Sequence, residues 1–337
     1  MQMTIGIITY NSEKFATRCL ETLVSQGGLG KLGTDWQIVC LDNASKNRIE
    51  IARLEQKLKD VRFLKEETNL GFGRAHNLIM RMFPAEFHAV LNVDILFSPN
   101  FLEKLLEGLK KEPHAGSAIG KLFRWDLGGN PEKTSYIDSV GLGVTKNHAF
   151  FDIGQGKPDC EEWNVPAKRF GGSAAAILYR RSALEIISYG SCHAEESAEG
   201  GRLEAFDETM FMYKEDIDLA YRLITAGYSC LYVPSALAWH ARGVGKGHKR
   251  RNRSEKERTW STAHETLLLK KHRSWWPRKI QRSTQIRQCV RWIYLFLLEP
   301  RVFFGSRRLL KALEPQASRR RDVKHVISFS EVSHFFE

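Results

Sequence analysis

Long apolar runs are scarce in this 337-residue chain. None approaches the roughly 20 residues that cross a bilayer, so no transmembrane helix is expected. No basic segment followed by an apolar core opens the sequence; "TIGIITY" reads at once as a first strand, so no secretory signal is expected. The six cysteines (Cys19, Cys40, Cys160, Cys192, Cys230, Cys289) are scattered, without a CxxC pair or metal-ligand spacing. That excludes a disulfide framework and a zinc cluster, and suits a reducing, cytoplasmic compartment. Repeats and low-complexity tracts are absent too, which removes solenoids and disordered polymers. What remains is ordinary for a globular protein: 42% hydrophobic, 27% charged. The length allows one large α/β domain with an extension, or two domains. The net charge of +12 points to an anionic partner: phosphate, nucleic acid or a lipid surface.

Apolar runs and helical spacings alternate along the first third. Strands are predicted over Thr4–Tyr10, "WQIVCLDNAS", "VRFLKE" and "HAVLNVD". Between them, Phe15, Cys19, Leu20, Leu23 and Val24 recur at helical spacing, as do 49–58, "GRAHNLIMRMF" and 101–111, and Asn11/Ser12 is placed to cap the first helix. Such β-α-β-α order predicts a largely parallel sheet covered by helices. Ligands of open α/β sheets sit outside the carboxyl ends of the strands. Asp42, Asn43, Asn92 and Asp94 fall at those ends. The glycine-rich middle, 116–201, predicts hairpins and loops. "FDETMFMYKEDIDLAYRLITAG" predicts a loop feeding an amphipathic helix, and "YSCLYVPSALAWH" a strand ending at His240.

The polar elements each admit two readings. Asn92-Val93-Asp94 suits an Asx turn or cap, yet two oxygen side chains at i and i+2 also hold a divalent cation and the diphosphate it neutralises. "NLGFGRAHN" is not a dinucleotide fingerprint, because His76 stands where a third glycine belongs. It is either a turn or a backbone that lets N–H groups approach a phosphate or ribose. Glu215, Asp216 and Asp218 suit a solvated acidic first turn or a catalytic carboxylate. His240 is a hydrogen-bonding residue or a metal ligand.

Taken in order, "TYNSEKF", "CLDNAS", "NLGFGRAHN", "LNVD", "GGSAAAILYRRSAL", "FDETMFMYKEDIDLAYRL" and "AWH" closely resemble the family 2 inverting glycosyltransferases of GT-A fold, in particular bacterial rhamnosyltransferase-like members. The resemblance covers about residues 4–245. It implies donor binding through Thr9, Tyr10, Asn11, Asp42, Asn69, Gly71, Gly73, Asn77, Asn92 and Asp94, with Asp42 on the nucleoside. It implies Gly172, Ser173 and Glu215 on the acceptor side, and Asp216 as general base. Asp94 and His240 would be ligands to a Mg²⁺ or Mn²⁺ ion. Two positions depart from the family pattern: Asn92 lowers the charge of the DxD-type element, and Val93 stands where close relatives carry proline. The implied reaction moves a sugar, rhamnose-like favoured, from a nucleotide-diphosphate donor to a saccharide or lipid-linked acceptor.

Beyond residue 245 the composition changes. From Lys246 to Arg282 there are 13 Lys/Arg against three Glu, so most of the net charge is local. The chain is therefore divided into a GT-A domain (1–245) and a basic helical extension (246–337). Glycines 243, 245 and 247 suit either a lid over the diphosphate or a flexible linker. Basic residues interleaved with Trp260, Trp275 and Trp276, then "WIYLFLL", suit attachment to an anionic inner membrane face, or a hairpin that packs on protein or forms an oligomer. A sugar nucleotidyltransferase is the alternative enzyme, but "TYNSEKF" stands where such enzymes resemble one another in a glycine- and arginine-containing loop. A nucleic-acid binder would leave the Asp and His elements without a role, so nucleic acid is not expected as a partner.

Overall fold

A ten-stranded sheet, eight of its strands in one continuous path, forms the spine of the protein. The structure is a computed structural model and describes residues 1–125, 134–189, 203–241, 253–318 and 326–336. The chain begins β1 (Met3–Thr9), α1 (Glu13–Val24), β2 (Trp36–Asn43), α2 (Ile49–Lys57), β3 (Val61–Glu66), α3 (Phe72–Met82) and β4 (Phe87–Asn92). It continues β5 (Ile95–Phe97), α4 (Phe101–Lys111), β6 (Ala115–Arg124), β7 (Ile137–Ser139), β8 (Leu142–Val144), β9 (Phe150–Asp152), β10 (Ala167–Arg169), β11 (Ala176–Arg180) and α5 (Arg181–Ile186). After α6 (Glu215–Thr225) and β12 (Ser229–His240), the elements among the described residues are helical: α7 (Glu255–His272), α8 (Arg278–Leu298), α9 (Pro300–Ser318) and α10 (Phe329–Val332).

Strand β1 pairs in parallel with β2 and β4, and β2 with β3, as the alternation predicts. Both faces are covered at β1, β2 and β4, which are buried almost end to end, whereas edge strand β3 exposes Arg62 and Lys65. Along β2, Ile38 and Cys40 join the core under α1, α2 and α4, while Val39 and Leu41 turn to α3 with Ala75 and Ile79. Strand β11 enters antiparallel between β4 and β6, and β12 returns parallel to β6. Short β5 and β7 pair with β12 and β6 off the main path. The glycine-rich middle supplies β7 and the β8–β9 hairpin, as expected.

One local expectation fails. Ser12 stands at the N-cap of α1, but its hydroxyl donates to the Tyr10 carbonyl and does not cap. The Asn11 side chain accepts instead from the Lys46 amide, tying the β1 and β2 loops together.

The extension does not stand apart. Leu268, Leu269, Trp276, Val332 and Phe336 share one apolar cluster with Ile217, Ala220, Tyr221 and Ile224 of α6 and with Leu142 and Val144 of β8. Among the described residues, no helix is long and apolar enough to cross a membrane.

Candidate active site

Asp94 follows β4, where the main strand ends and the chain turns into β5. A half-buried carboxylate is costly without a partner, and strand pairing provides one. Antiparallel β5 and β12 set His240 opposite Ile95, and the Ala241 amide donates to the Asp94 carbonyl. The His240 ring is thereby brought to Asp94, Nε2 to Oδ1 3.4 Å. On the ring's far side, Nδ1 lies 2.9 Å from Oδ2 of buried Asp138, on β7. Burial opposes charge on this imidazole, but the two carboxylates outweigh it and raise its pKa to about 9. The two acids thus favour a proton on the ring, which a metal ion bound at Nε2 would displace.

This arrangement fits a divalent cation. A carboxylate behind a histidine fixes its tautomer and aims the other nitrogen at a metal. Asp94 and Nε2 are close enough to share one ion with bonds of about 2.1 Å. Asp138 lies behind the ring, at the nitrogen turned away from Asp94. Among the described residues there is no cluster of three or more His, Cys, Asp or Glu that could hold a metal. Such a site needs oxygens from a substrate, as Mg²⁺ sites with one or two protein ligands do. Asn92 is half-buried beside it, its amide donating to Ala175.

Asp216 belongs to a second group. Two residues with left-handed backbone, Tyr213 (φ 71°) and Lys214 (φ 77°), turn the chain into α6 and present Glu215 and Asp216. Neither is glycine, and such strain persists only where surroundings enforce it. Glu215 is buried and Asp216 half-buried. Desolvation raises Asp216, partly offset by Lys214 and by the Ala174 amide that it accepts from; Asp152 raises it further. Burial and the charge of Asp216 raise Glu215. Both carboxyls are therefore better proton acceptors than free ones. The Ala174 contact also brings the Gly172–Ser173 loop against Asp216.

The remaining expected residues divide into three sets. Thr9, Asn11 and Asp42 gather at the ends of β1 and β2, where the Asn11 amide donates to Ser45, and Tyr10 is exposed there. Asp42 is buried against Arg48, 2.6 Å from Nε, a partner that spacing alone did not reveal. Asn69 accepts from Asn43 and from the Gly71 amide. Gly71 and Gly73 do not leave open backbone for a ligand. The Gly71 amide is engaged, and a Cβ at either position would overlap Phe211 or Phe206. Asn77 spends its amide on both backbone groups of Phe206 and is fully buried. These three residues hold the 206–211 segment against α3, because that segment must approach closely to carry α6. The glycines read as either a lid or a linker, 243, 245 and 247, lie outside the described residues.

Asp138 went unrecognised in the sequence. The signal was present: an acid between Ile137 and Ser139-Val140 in an apolar run, the same pattern that singled out Asp94.

Residues 4–184, more than half of the chain, match the family model "Glycosyl transferase family 2". An N-acetylglucosaminyl-diphospho-decaprenol L-rhamnosyltransferase of Mycobacterium tuberculosis is 26% identical over 265 residues, 71% of this chain and 76% of that protein. An uncharacterized glycosyltransferase of Methanocaldococcus jannaschii is 28% identical over 127 residues, covering 36% of this chain and 41% of its own. Among solved structures, a mannosyltransferase from Pyrobaculum calidifontis in complex with GDP-Man and Mn²⁺ superposes with a TM-score of 0.53 at 15% identity, over 94% of this chain and 77% of the other. GalNAc-T7 with UDP, GalNAc and Mn²⁺ gives 0.57 at 12% identity, over 99% and 53%. The architecture is a GT-A fold with a helical C-terminal region.

Proposed function

We propose that this chain, which belongs to glycosyl transferase family 2 and is a glycosyltransferase, moves a rhamnose-like sugar from a nucleotide-diphosphate donor to a saccharide or lipid-linked acceptor, in cell-surface polysaccharide synthesis. The observation that carries this reading is Asp216: an under-compensated carboxylate on a strained turn. The rhamnosyltransferase relative supports the sugar and the lipid-linked acceptor.

The chemistry is one displacement. An acceptor hydroxyl gives its proton to Asp216 as its oxygen bonds to the anomeric carbon. The bond from that carbon to the diphosphate breaks, its electron pair leaving with the nucleotide, and the configuration inverts. Asp94 and His240 would hold a Mg²⁺ or Mn²⁺ ion, with Asp138 fixing the ring; the ion supplies positive charge that stabilises the departing diphosphate. Asp42 reaches a nucleoside by sharing its carboxylate with Arg48. Glu215 stands on the acceptor side of Asp216.

The extension suits a membrane-borne acceptor at the cytoplasmic face. On α8, Ile286, Val290, Ile293 and Leu297 recur at helical spacing, and each is 59–67% exposed. Such a stripe, flanked by Lys279, Arg282 and Arg301, fits a helix lying on anionic lipid.

Calorimetric titration with nucleotide-sugar donors and Mn²⁺ tests the reaction. Asp94→Ala should abolish metal-dependent donor binding with the fold intact, at a modest cost in melting temperature because His240 loses one of its two acids. Donor affinity and metal dependence equal to wild type would overturn the site.

A further inference from the structure

The turn that presents Asp216 is not held from its own helix. Tyr213 (φ 71°) and Lys214 (φ 77°) keep left-handed backbone, a conformation that costs energy in residues other than glycine. Lys214 stands at the N-cap of α6, where an acceptor side chain would hold the first turn, and it has none to offer. The grip comes instead from α7, which lies beyond the residues matched by the family model. Glu257, Trp260 and His264 recur there at helical spacing, so they share one face. Each of them meets the segment that carries the turn. The Trp260 and Phe211 ring centres are 4.7 Å apart. The Tyr213 hydroxyl donates to Glu257 Oε1 at 2.7 Å. His264 Nδ1 lies 2.9 Å from the Met212 carbonyl and 3.2 Å from that of Tyr213. Adjacent Glu265 faces Lys214 at 3.7 Å.

Packing alone does not account for His264. The residue is 1% exposed, and its Nε2 is buried with no hydrogen-bond partner among the described residues. Leucine or phenylalanine would fill similar space without the cost of that bare nitrogen. The other nitrogen supplies what they lack. Carbonyl oxygens only accept, so Nδ1 carries the proton. Burial lowers the ring's pKa and keeps Nε2 unprotonated. One N–H thus donates to two successive carbonyls. In an extended chain these would point to opposite sides, whereas left-handed Tyr213 turns them to the same side. The shared bond therefore exists only while the turn keeps its strained form, and each stabilises the other.

We propose that His264 is a positioning residue for sugar transfer: by clamping both carbonyls it fixes the turn that aims Asp216 at the acceptor hydroxyl. The inference rests on the reading of Asp216 as the base, and it makes the helical extension part of the catalytic apparatus. The bond from Tyr213 to Glu257 is a second, more exposed tether on the same turn. A misplacement of about 1 Å can cost about 10² in rate. A clamp that touches no substrate can therefore act on the chemical step through the base alone.

The test compares full-length wild type, His264→Asn, His264→Leu, Tyr213→Phe, Asp216→Asn and His264→Leu combined with Asp216→Asn. Single-turnover transfer is measured beside affinity for the nucleotide sugar that the titration above selects, and beside hydrogen exchange of the unliganded chain. Asparagine places an N–H as many bonds from Cα as Nδ1, and should transfer within about threefold of wild type. Leucine should lose about 10² in rate, and Tyr213→Phe about threefold. Exchange at the 212–217 amides should quicken in His264→Leu but not in His264→Asn. Donor affinity should hold throughout, since Asp42, Asp94 and His240 lie at other strand ends. The double variant should be no slower than Asp216→Asn alone, because residues that act as a unit do not add. The inference is overturned if His264→Leu transfers within about twofold of wild type or leaves exchange at the turn unchanged. It is equally overturned if His264→Asn is as slow as His264→Leu, if donor affinity falls with the rate, or if the double variant loses both factors. Should His264→Leu not fold, Tyr213→Phe with and without Asp216→Asn decides by the same criteria. Near wild-type transfer by Asp216→Asn would instead overturn the base itself, and it is read in that variant alone.

Discussion

Asp216 and Asp218 stand two residues apart on α6, and the regions they face push them in opposite directions. Asp216 looks to the sheet edge, where burial raises its pKa and Lys214 with the Ile217 and Ala174 amides offsets that only in part. Asp218 looks to the helical extension and is fully buried. Yet Lys271, Arg222 and His272 outweigh burial and hold it well below the usual carboxylate range. Lys271 Nζ is 2.8 Å away, Arg222 Nε 2.9 Å and His272 Nε2 3.1 Å. A compensated buried charge is a fixture, whereas an under-compensated one is poised to take a proton. The extension also grips the turn before α6: His264 Nδ1 lies 2.9 Å from the Met212 carbonyl, the Tyr213 hydroxyl donates to Glu257, and Lys214 faces Glu265. It therefore helps to enforce the left-handed Tyr213-Lys214 pair that presents Asp216.

Substituting each acid in turn breaks the comparison, and the largest effect is on rate. Asp216→Asn should reduce single-turnover transfer by about 10²–10⁴, the usual cost of a lost general base. Its melting temperature should hold or rise, because a desolvated, poorly paired charge is removed. Glu215→Gln should do less. The two carboxyls titrate as a pair, with Glu215 the more buried. Near wild-type transfer by Asp216→Asn places the base elsewhere.

The junction comes next, and it is read in stability. Lys271→Met leaves Asp207 and Asp218 buried without their ammonium, a loss of about 3–5 kcal/mol in denaturant unfolding. The pH dependence follows from the same contacts. Asp218 is depressed, as is Glu265, which Lys214, Arg291 and Arg287 hold at about 2 against the effect of burial. Depressed acids stabilise above their unfolded pKa and lose that contribution as pH falls through the folded one. The loss should thus fall between about pH 4.3 and about 2 for Glu265, and lower than about pH 3.9 for Asp218. Lys271 is raised, so its contribution is complete below about pH 10.4 and fades above it. The stability difference between wild type and Lys271→Met should be constant between these limits, while His240, raised to about 9, adds its own loss to both proteins above about pH 6.5. A variant as stable as wild type in denaturant would make the cluster energetically neutral.

The two regions also differ in how far sequence reading reaches. The sheet edge was largely legible: apolar runs and helical spacings located the elements and set Asp42 and Asp94 at strand ends, while Asp216 was singled out by the family resemblance. His240 lay next to Asp94 as expected, but the cause is β5–β12 register, which local pattern does not encode. Asp138 escaped because it meets His240 only through β7, 102 positions away in the chain. Asn77, Gly71 and Gly73 looked like ligand contacts because close packing and ligand approach demand the same residue types. The extension was less legible. Lys271 counted as one charge in a basic run, whereas its partners lie 53 and 64 positions away. A long-range buried ion cluster leaves no periodicity to read.

The smallest effect concerns the outer face of α8, where the extension meets no protein among the described residues. Ile286, Val290, Ile293 and Leu297 form one stripe, and no compensating partner covers it. If the stripe lies in the headgroup region of anionic lipid, the full chain should bind anionic vesicles at low salt. Binding should weaken as salt shortens the Debye length, which is about 10 Å at 0.1 M. Val290→Ser and Ile293→Ser should each cost about 1 kcal/mol, or about fivefold in partitioning, since the side chains are only partly withdrawn from water. Truncation near residue 245 would not serve, because it would strip Asp218 of Lys271 and His272 and unroof the α6 cluster. Surface substitutions leave that junction intact, so melting temperature and transfer to a soluble acceptor should be unchanged in both variants. Vesicle sedimentation at several salt concentrations, beside the oligomeric state in solution, decides the matter. A full chain that ignores anionic vesicles but dimerises, and whose serine variants are monomers, would make the stripe a contact between copies of this chain.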